Sequence, residues 1–180
     1  MLDGAARVKD MVQAAAADGQ PAMAITDHGV LYGVIDFTKA ARAVGVKPIL
    51  GIEAYVTAGS RFDRLPRRED KRYHLTLLAE NETGYRNLMK LASRAYLEGF
   101  YYKPQVDEEL LREHAKGIIC TSACMSGIVS KSLERGDVDA ARKWALTYEG
   151  IFDEGDCYLE IQDQGITANA GVTQALSLIH

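Results

Sequence analysis

Apolar positions along this chain recur with two periods, one near 3.6 residues and one near 2, and the switches between them mark the elements. Residues 6–19, ARVKDMVQAAAADG, carry apolar side chains at helical spacing and stop at Gly19, a C-terminal cap. PAMAIT (21–26) follows as a short buried strand, and residues 31–44 return to helical periodicity before Gly45. KPILGIEAYVT (47–57) and RYHLTLLAE (72–80) are β-rich, after which Asn81 caps a helix that opens ETGYRNLMKL. DEELLREHA, SGIVSKSLERG and DVDAARKWALTYEGIF then read as helices, and GIICTSA and CYLEIQD as strands. Strands alternating with helices predict a mainly parallel α/β sheet, open or closed. The one long irregular piece, 58–71, predicts an inserted surface loop, and its charged part RFDRLPRREDKR a solvated one.

Polar residues interrupt this pattern at the strands. His28 follows the first, Glu53 lies within the second, His74 within the third, and Cys124 follows the fourth. Glu53 is flanked by Ile52, Ala54, Tyr55 and Val56, where a carboxylate is costly unless a cation or several donors meet it. In α/β folds the carboxyl ends of successive parallel strands converge on one mouth, where sites form. All four residues are metal-ligand types, so a shared mouth could gather them around Zn²⁺ or a similar ion. The plain alternatives stand beside this: satisfied core histidines, Glu53 paired with an arginine, and Cys124 as a small core residue. No Gly-x-Ser-x-Gly elbow, Walker loop or dinucleotide fingerprint occurs.

Composition narrows the class without choosing the function. The chain has 180 residues, 47% hydrophobic and 26% charged, an ordinary globular balance for a single domain. A net charge of -4 argues against a chain-wide electrostatic grip on nucleic acid. The apolar runs are too short for a membrane span, and three cysteines without a dense framework suit a reducing cytoplasm. Cys120 and Cys157 sit in apolar strand-like runs and are expected in the core.

Seven segments in order carry a resemblance: LDGAARVKDMV, PAMAITDHGVLYG, GVKPILGIEAYV, GSRFDR, YHLTLLAENETGYRNLMKL, YLEGFYYKP and TSACMSG. Together, from Leu2 to about Gly165, they resemble the N-terminal PHP (polymerase and histidinol phosphatase) domain of bacterial DNA polymerase III alpha subunits. TDHG alone would suit any PHP phosphoesterase, whereas NETGYRNLMKL and FYYKP are similar to the replicative C-family version. The resemblance implies a PHP-type distorted barrel of seven β/α units, incomplete here, with up to three divalent ions, Zn²⁺ or Mn²⁺, at its mouth. It implies Asp3, His28, Glu53, His74 and Cys124 as metal ligands, with Asp27 structural. The His-x-His pair expected before Met1 and the Asp-x-His expected after His180 are not in the chain, which leaves at most one good metal site. Gln164 stands where the family commonly has His.

The same resemblance implies a cytoplasmic replicative polymerase as the parent, with DNA, replisome subunits and a proofreading subunit as partners, no membrane, and Mg²⁺ for its polymerase part. The PHP domain itself is then either a 3′–5′ proofreading exonuclease or a structural scaffold. The alternative is a stand-alone phosphatase of the histidinol-phosphate type. Residues 1–175 are expected to be one partial PHP domain, and 176–180, LSLIH, resemble translated sequencing-adapter DNA.

Overall fold

The computed structural model describes residues 4–66, 71–162 and 167–176. Its first half runs α1 (Val8–Ala17), β1 (Ala22–His28), α2 (Val34–Ala43), β2 (Lys47–Thr57), β3 (Arg72–Ala79) and α3 (Glu82–Leu97). A hairpin of β4 (Phe100–Tyr101) and β5 (Lys103–Val106) leads to α4 (Glu108–Glu113) and β6 (Ile118–Thr121). Next come α5 (Ile128–Glu134), α6 (Val138–Glu149), β7 (Cys157–Tyr158) and α7 (Thr167–Leu176). Asn81 caps α3 as its sequence predicts, accepting from the Gly84 amide at 3.1 Å, while Asp107, read from sequence as the first residue of its helix, caps α4 by accepting from the Leu110 amide at 3.0 Å.

The longest strand, β2, organises the sheet. One of its edges takes β1 in parallel over Lys47–Glu53 and then β5 in parallel at Tyr55 and Val56. Its other edge takes β3, which is antiparallel, and β3 carries β6, again antiparallel. Five strands (β1, β2, β5, β6 and β7) therefore run one way, and β3 and β4 run the other. The mainly parallel α/β expectation holds, and among the described residues the sheet is open rather than closed. The reversal at β3 was not foreseen. Its physical basis is the connection before it, which contains no crossover helix among its described residues; a parallel return would need one.

Strand alternation places the core on one face. Ile52, Ala54 and Val56 of β2 and Tyr73, Leu75 and Leu77 of β3 are buried against Leu88 and Leu91 of α3. Val12, Phe37 and Ala41 of the first two helices bury Ile25 of β1 in a second cluster. Each buried Val, Leu, Ile or Phe among them contributes roughly 1.5–3 kcal/mol through removal from water. The alternate residues, Glu53, Tyr55, His74 and Thr76, are only half-buried.

Several expectations need correction. The first strand continues through Asp27 to His28 and is largely half-buried, because its second face is the open one. CYLEIQD forms a strand only at Cys157 and Tyr158, and Cys157 is half-buried rather than core, unlike Cys120. Leu176, the first residue of the segment resembling adapter sequence, ends α7 and is buried, while 177–180 lie outside the described residues.

The charged loop departs from its expectation at one residue: 62–66 are exposed as expected and 67–70 lie outside the described residues, whereas Arg61 is buried. Arg61 is 4% exposed, and its guanidinium donates to Glu98 at 2.7 Å, Asp107 at 2.9 Å and Glu109 at 2.8 Å. Asp107, itself buried, also accepts from the Arg61 amide at 2.9 Å. The acids meet Arg61 from α3 and α4, 37 or more residues away, so local composition suggested solvation where tertiary contact supplies partners. Removing the cation leaves the Asp107 carboxylate buried without a counter-charge, held only by the Arg61 and Leu110 amides. Arg61→Ala should therefore cost about 3–5 kcal/mol in urea unfolding. A loss under about 1 kcal/mol would restore the picture of a solvated arginine.

Candidate metal centre

His28 closes β1, and the turn after it depends on Gly29. The Gly29 backbone has φ +68, and a Cβ there would lie 2.9 Å from Pro104 Cγ and 3.1 Å from the Tyr55 ring. Its amide donates to the Glu53 carbonyl at 2.9 Å, which fastens the strand end to β2. Neighbouring Asp27 points to the other face, where its carboxylate accepts from the Gly33 amide at 2.8 Å and secures the approach to α2. The adjacent acid and imidazole thus do separate work, Asp27 structural as expected and His28 at the mouth.

Register brings the others together. His28 stands opposite Glu53 on β1 and β2, and Tyr55 stands opposite His74 on β2 and β3. Glu53 and Tyr55 are two residues apart, so all four side chains project from one face. His74 arrives by a route the parallel-strand rule did not supply. It lies near the start of β3, and because that strand runs backwards its amino end meets the carboxyl half of β2. Cys124 follows β6 through Ala123, whose φ of 59 is uncommon for a residue with a Cβ. That turn is pinned to β3, where the His74 amide donates to the Ser126 carbonyl at 3.0 Å.

The result is a compact donor set. Glu53 Oε1 lies 2.6 Å from His74 Nδ1, and Glu53 Oε2 lies 3.6 Å from His28 Nδ1. Cys124 Sγ sits 3.5 Å from His74 Nδ1 and 3.7 Å from Glu53 Oε1. One ligand atom each from His28, Glu53 and His74 falls within a mutual 4.8 Å. Imidazoles, a carboxylate and a thiol suit a borderline-soft divalent cation, and that spacing lets three of them share one ion. Asp3 lies outside the described residues.

Electrostatics agree with a place for positive charge. Hydrogen bonding to Cys124, and next to Glu53, raises the His74 pKa to about 9. The same contact with His74 lowers the pKa of the Cys124 thiol. Tyr55 and Lys103 escaped the sequence reading. The Tyr55 ring stacks on His28 with centroids 5.9 Å apart and meets His74 edge-on at 5.4 Å. The Lys103 ammonium lies 5.1 Å from the Tyr55 ring centroid. Tyr55 was available from the period-2 rule as the same-face neighbour of Glu53, whereas Lys103 depends on the hairpin.

Comparison with known proteins gives this geometry a context. The PHP domain family matches residues 1–164. The DNA polymerase III subunit alpha of Treponema pallidum is 45% identical over 177 residues, covering 98% of this chain and 15% of that protein. That of Thermus aquaticus is 46% identical over 181 residues, with the same 98% and 15% coverage. The chain spans about 15% of the length of these curated relatives. A solved structure from Bifidobacterium adolescentis, a proposed metal-dependent phosphoesterase, shares the fold at a TM-score of 0.53 and 14% identity. It covers 98% of this chain, which covers 78% of it.

The His74 shift sets a pH dependence for the metal-free protein. A histidine whose folded pKa, about 9, exceeds the unfolded value near 6.5 adds stability that is fully present below about pH 6.5. That contribution is lost as pH rises through about 9. In chelator, the melting temperature of wild type relative to His74→Gln should fall across this window. A constant difference from pH 6 to 9 would mean that His74 gains no proton from its neighbours.

Proposed function

The chain belongs to the PHP domain family, and from this we propose that it is the metal-binding, phosphoesterase-type domain of a bacterial DNA polymerase III alpha subunit. The parent would synthesise DNA in the cytoplasm with Mg²⁺ at its polymerase centre, working with DNA and other replisome subunits, a proofreading subunit among them. The observation that carries the domain-level reading is the convergence of His28, Glu53 and His74, from three strands, within 4.8 Å. A stand-alone histidinol-phosphate-type phosphatase is not favoured, because the relatives aligned over 98% of the chain are polymerase subunits. No helix among the described residues is long and apolar enough to cross a membrane.

On this reading Asp3, His28, Glu53, His74 and Cys124 hold Zn²⁺ or Mn²⁺. When bound, such an ion supplies Lewis-acid polarisation of a phosphoryl oxygen and lowers the pKa of water. The side chains prepare the place. Glu53 brings negative charge between two imidazoles, and Gly29 and Asp27 fix the position of His28. His74 releases its proton to the solvent when a cation takes that place, so binding strengthens as pH rises toward about 9. This donor set gives the capacity to bind an ion, and hydrolysis of a phosphodiester at a 3′ end is the activity we assign to the domain within its intact parent.

Zn²⁺ or Mn²⁺ should raise the melting temperature of the chain by several degrees, and Glu53→Ala should remove most of that gain. Equal shifts in both proteins would indicate nonspecific binding. In the intact gene product, Glu53→Ala and His74→Ala should each reduce cleavage of a 3′-labelled oligonucleotide at least 100-fold while DNA synthesis continues. Unchanged cleavage would assign the hydrolysis elsewhere and leave the domain a scaffold.

A further inference from the structure

An apolar groove of about 520 Å³ begins one residue from His28. It runs from Gly29 past Leu31 and Tyr32 to Met89, Tyr96 and Leu97 on α3. Tyr32 is 82% exposed and Leu97 84%, and an apolar surface of this kind left open to water indicates a binding role. Tyr32 and Tyr96 line the groove together, and the Tyr96 ring stacks on Phe100 with centroids 5.6 Å apart. Aromatic rings thus line a groove that reaches Gly29, the residue after His28.

Two features tie the groove to the mouth. Gly29 lines the groove and packs under the Tyr55 ring, which in turn meets the rings of His28 and His74. Lys103, exposed on the hairpin, holds its ammonium 5.1 Å from the centroid of that same Tyr55 ring, which both Gly29 and the two imidazoles meet. A ligand spanning the groove and that ring would meet aromatic faces at one end and positive charge at the other. Nucleotides have this distribution: a flat base that stacks on any aromatic side chain, joined to a phosphate. A volume of about 520 Å³ is in the range of small-ligand pockets. An apolar peptide would leave Lys103 and the donor set unanswered.

We propose that this groove seats the terminal nucleobase of a nucleic-acid 3′ end, stacked on Tyr32 and Tyr96, with Lys103 facing the adjoining phosphate. The inference rests on the 3′-end reading above and supplies its substrate subsite. Recognition by stacking is tolerant of base identity, so the site would accept any of the bases while demanding an end that can leave its own stack.

The test separates the subsite from the chemistry. With chelator present, oligonucleotides carrying 2-aminopurine at the 3′ end are titrated with the full chain, and the fluorescence change is read as stacking. Wild type should quench a 3′-terminal probe, Tyr32→Phe should behave alike, and Tyr32→Ala should weaken binding about tenfold. Tyr32 is so exposed that its removal should leave the melting temperature unchanged, which excludes misfolding as the cause. In the intact gene product with metal, Tyr32→Ala should raise KM for 3′-end hydrolysis about tenfold at similar kcat. Turnover of bis(4-nitrophenyl) phosphate, which has no base, should not change. Equal quenching of a 5′-terminal probe, or a Tyr32→Ala variant that binds and hydrolyses like wild type, would overturn the subsite. Absence of all hydrolysis alongside 3′-specific, Tyr32-dependent quenching would overturn the catalytic reading and leave the nucleobase site standing.

Discussion

Glu53 stands in the middle of the longest strand with Ile52 and Ala54 on either side, and the pairing register of β2 decides where its carboxylate goes. In the observed register Ile52, Ala54 and Val56 fill the core while Glu53 and Tyr55 project from the open face. A slip of one residue would reverse both sets, burying a charge and exposing the apolar row. Burial of an unpaired carboxylate costs several kcal/mol, so the alternation that builds the core also fixes the site. Stability and site geometry share one constraint.

A second set of contacts holds the surroundings of that face. Arg61 joins the 58–66 segment to Glu98 at the end of α3 and to Asp107 at the start of α4, the two ends between which the β4–β5 hairpin lies. The hairpin turns at Tyr102, with φ 61, and presents Lys103 and Pro104 beside Tyr55 and Gly29. The buried cation is thus a remote support of the mouth. It fixes the ends of the hairpin, and the hairpin brings a positive charge and a close-packed proline to the border of the donor set.

The site that results is asymmetric. On one side are groups with affinity for a cation, and beyond Gly29 lies an aromatic groove with no apolar partner among the described residues. A nucleotide end matches both halves, its phosphate at the charged border and its base along the groove. On the proposed reading a chain of net charge -4 engages nucleic acid through one local cation and several ring faces rather than through a chain-wide positive field.

Much of this was written in the sequence. The bounds of β2 follow from its β-rich run, the cap at Asn81 from residue type and position, and the candidates His28, Glu53, His74 and Cys124 from polar residues placed at strands. These are local properties: a period, a cap or a side-chain chemistry is complete within a few residues. Tertiary structure decided the direction of β3, which carries His74 to the mouth by its amino end, and the burial of Arg61 by acids on distant helices. It also decided the placement of Lys103 over Tyr55, 48 residues apart in number. Strand direction and ion-pair partners depend on which distant segments meet. No local pattern of hydrophobicity contains that information, because the energies that select the partners arise only when the segments pack.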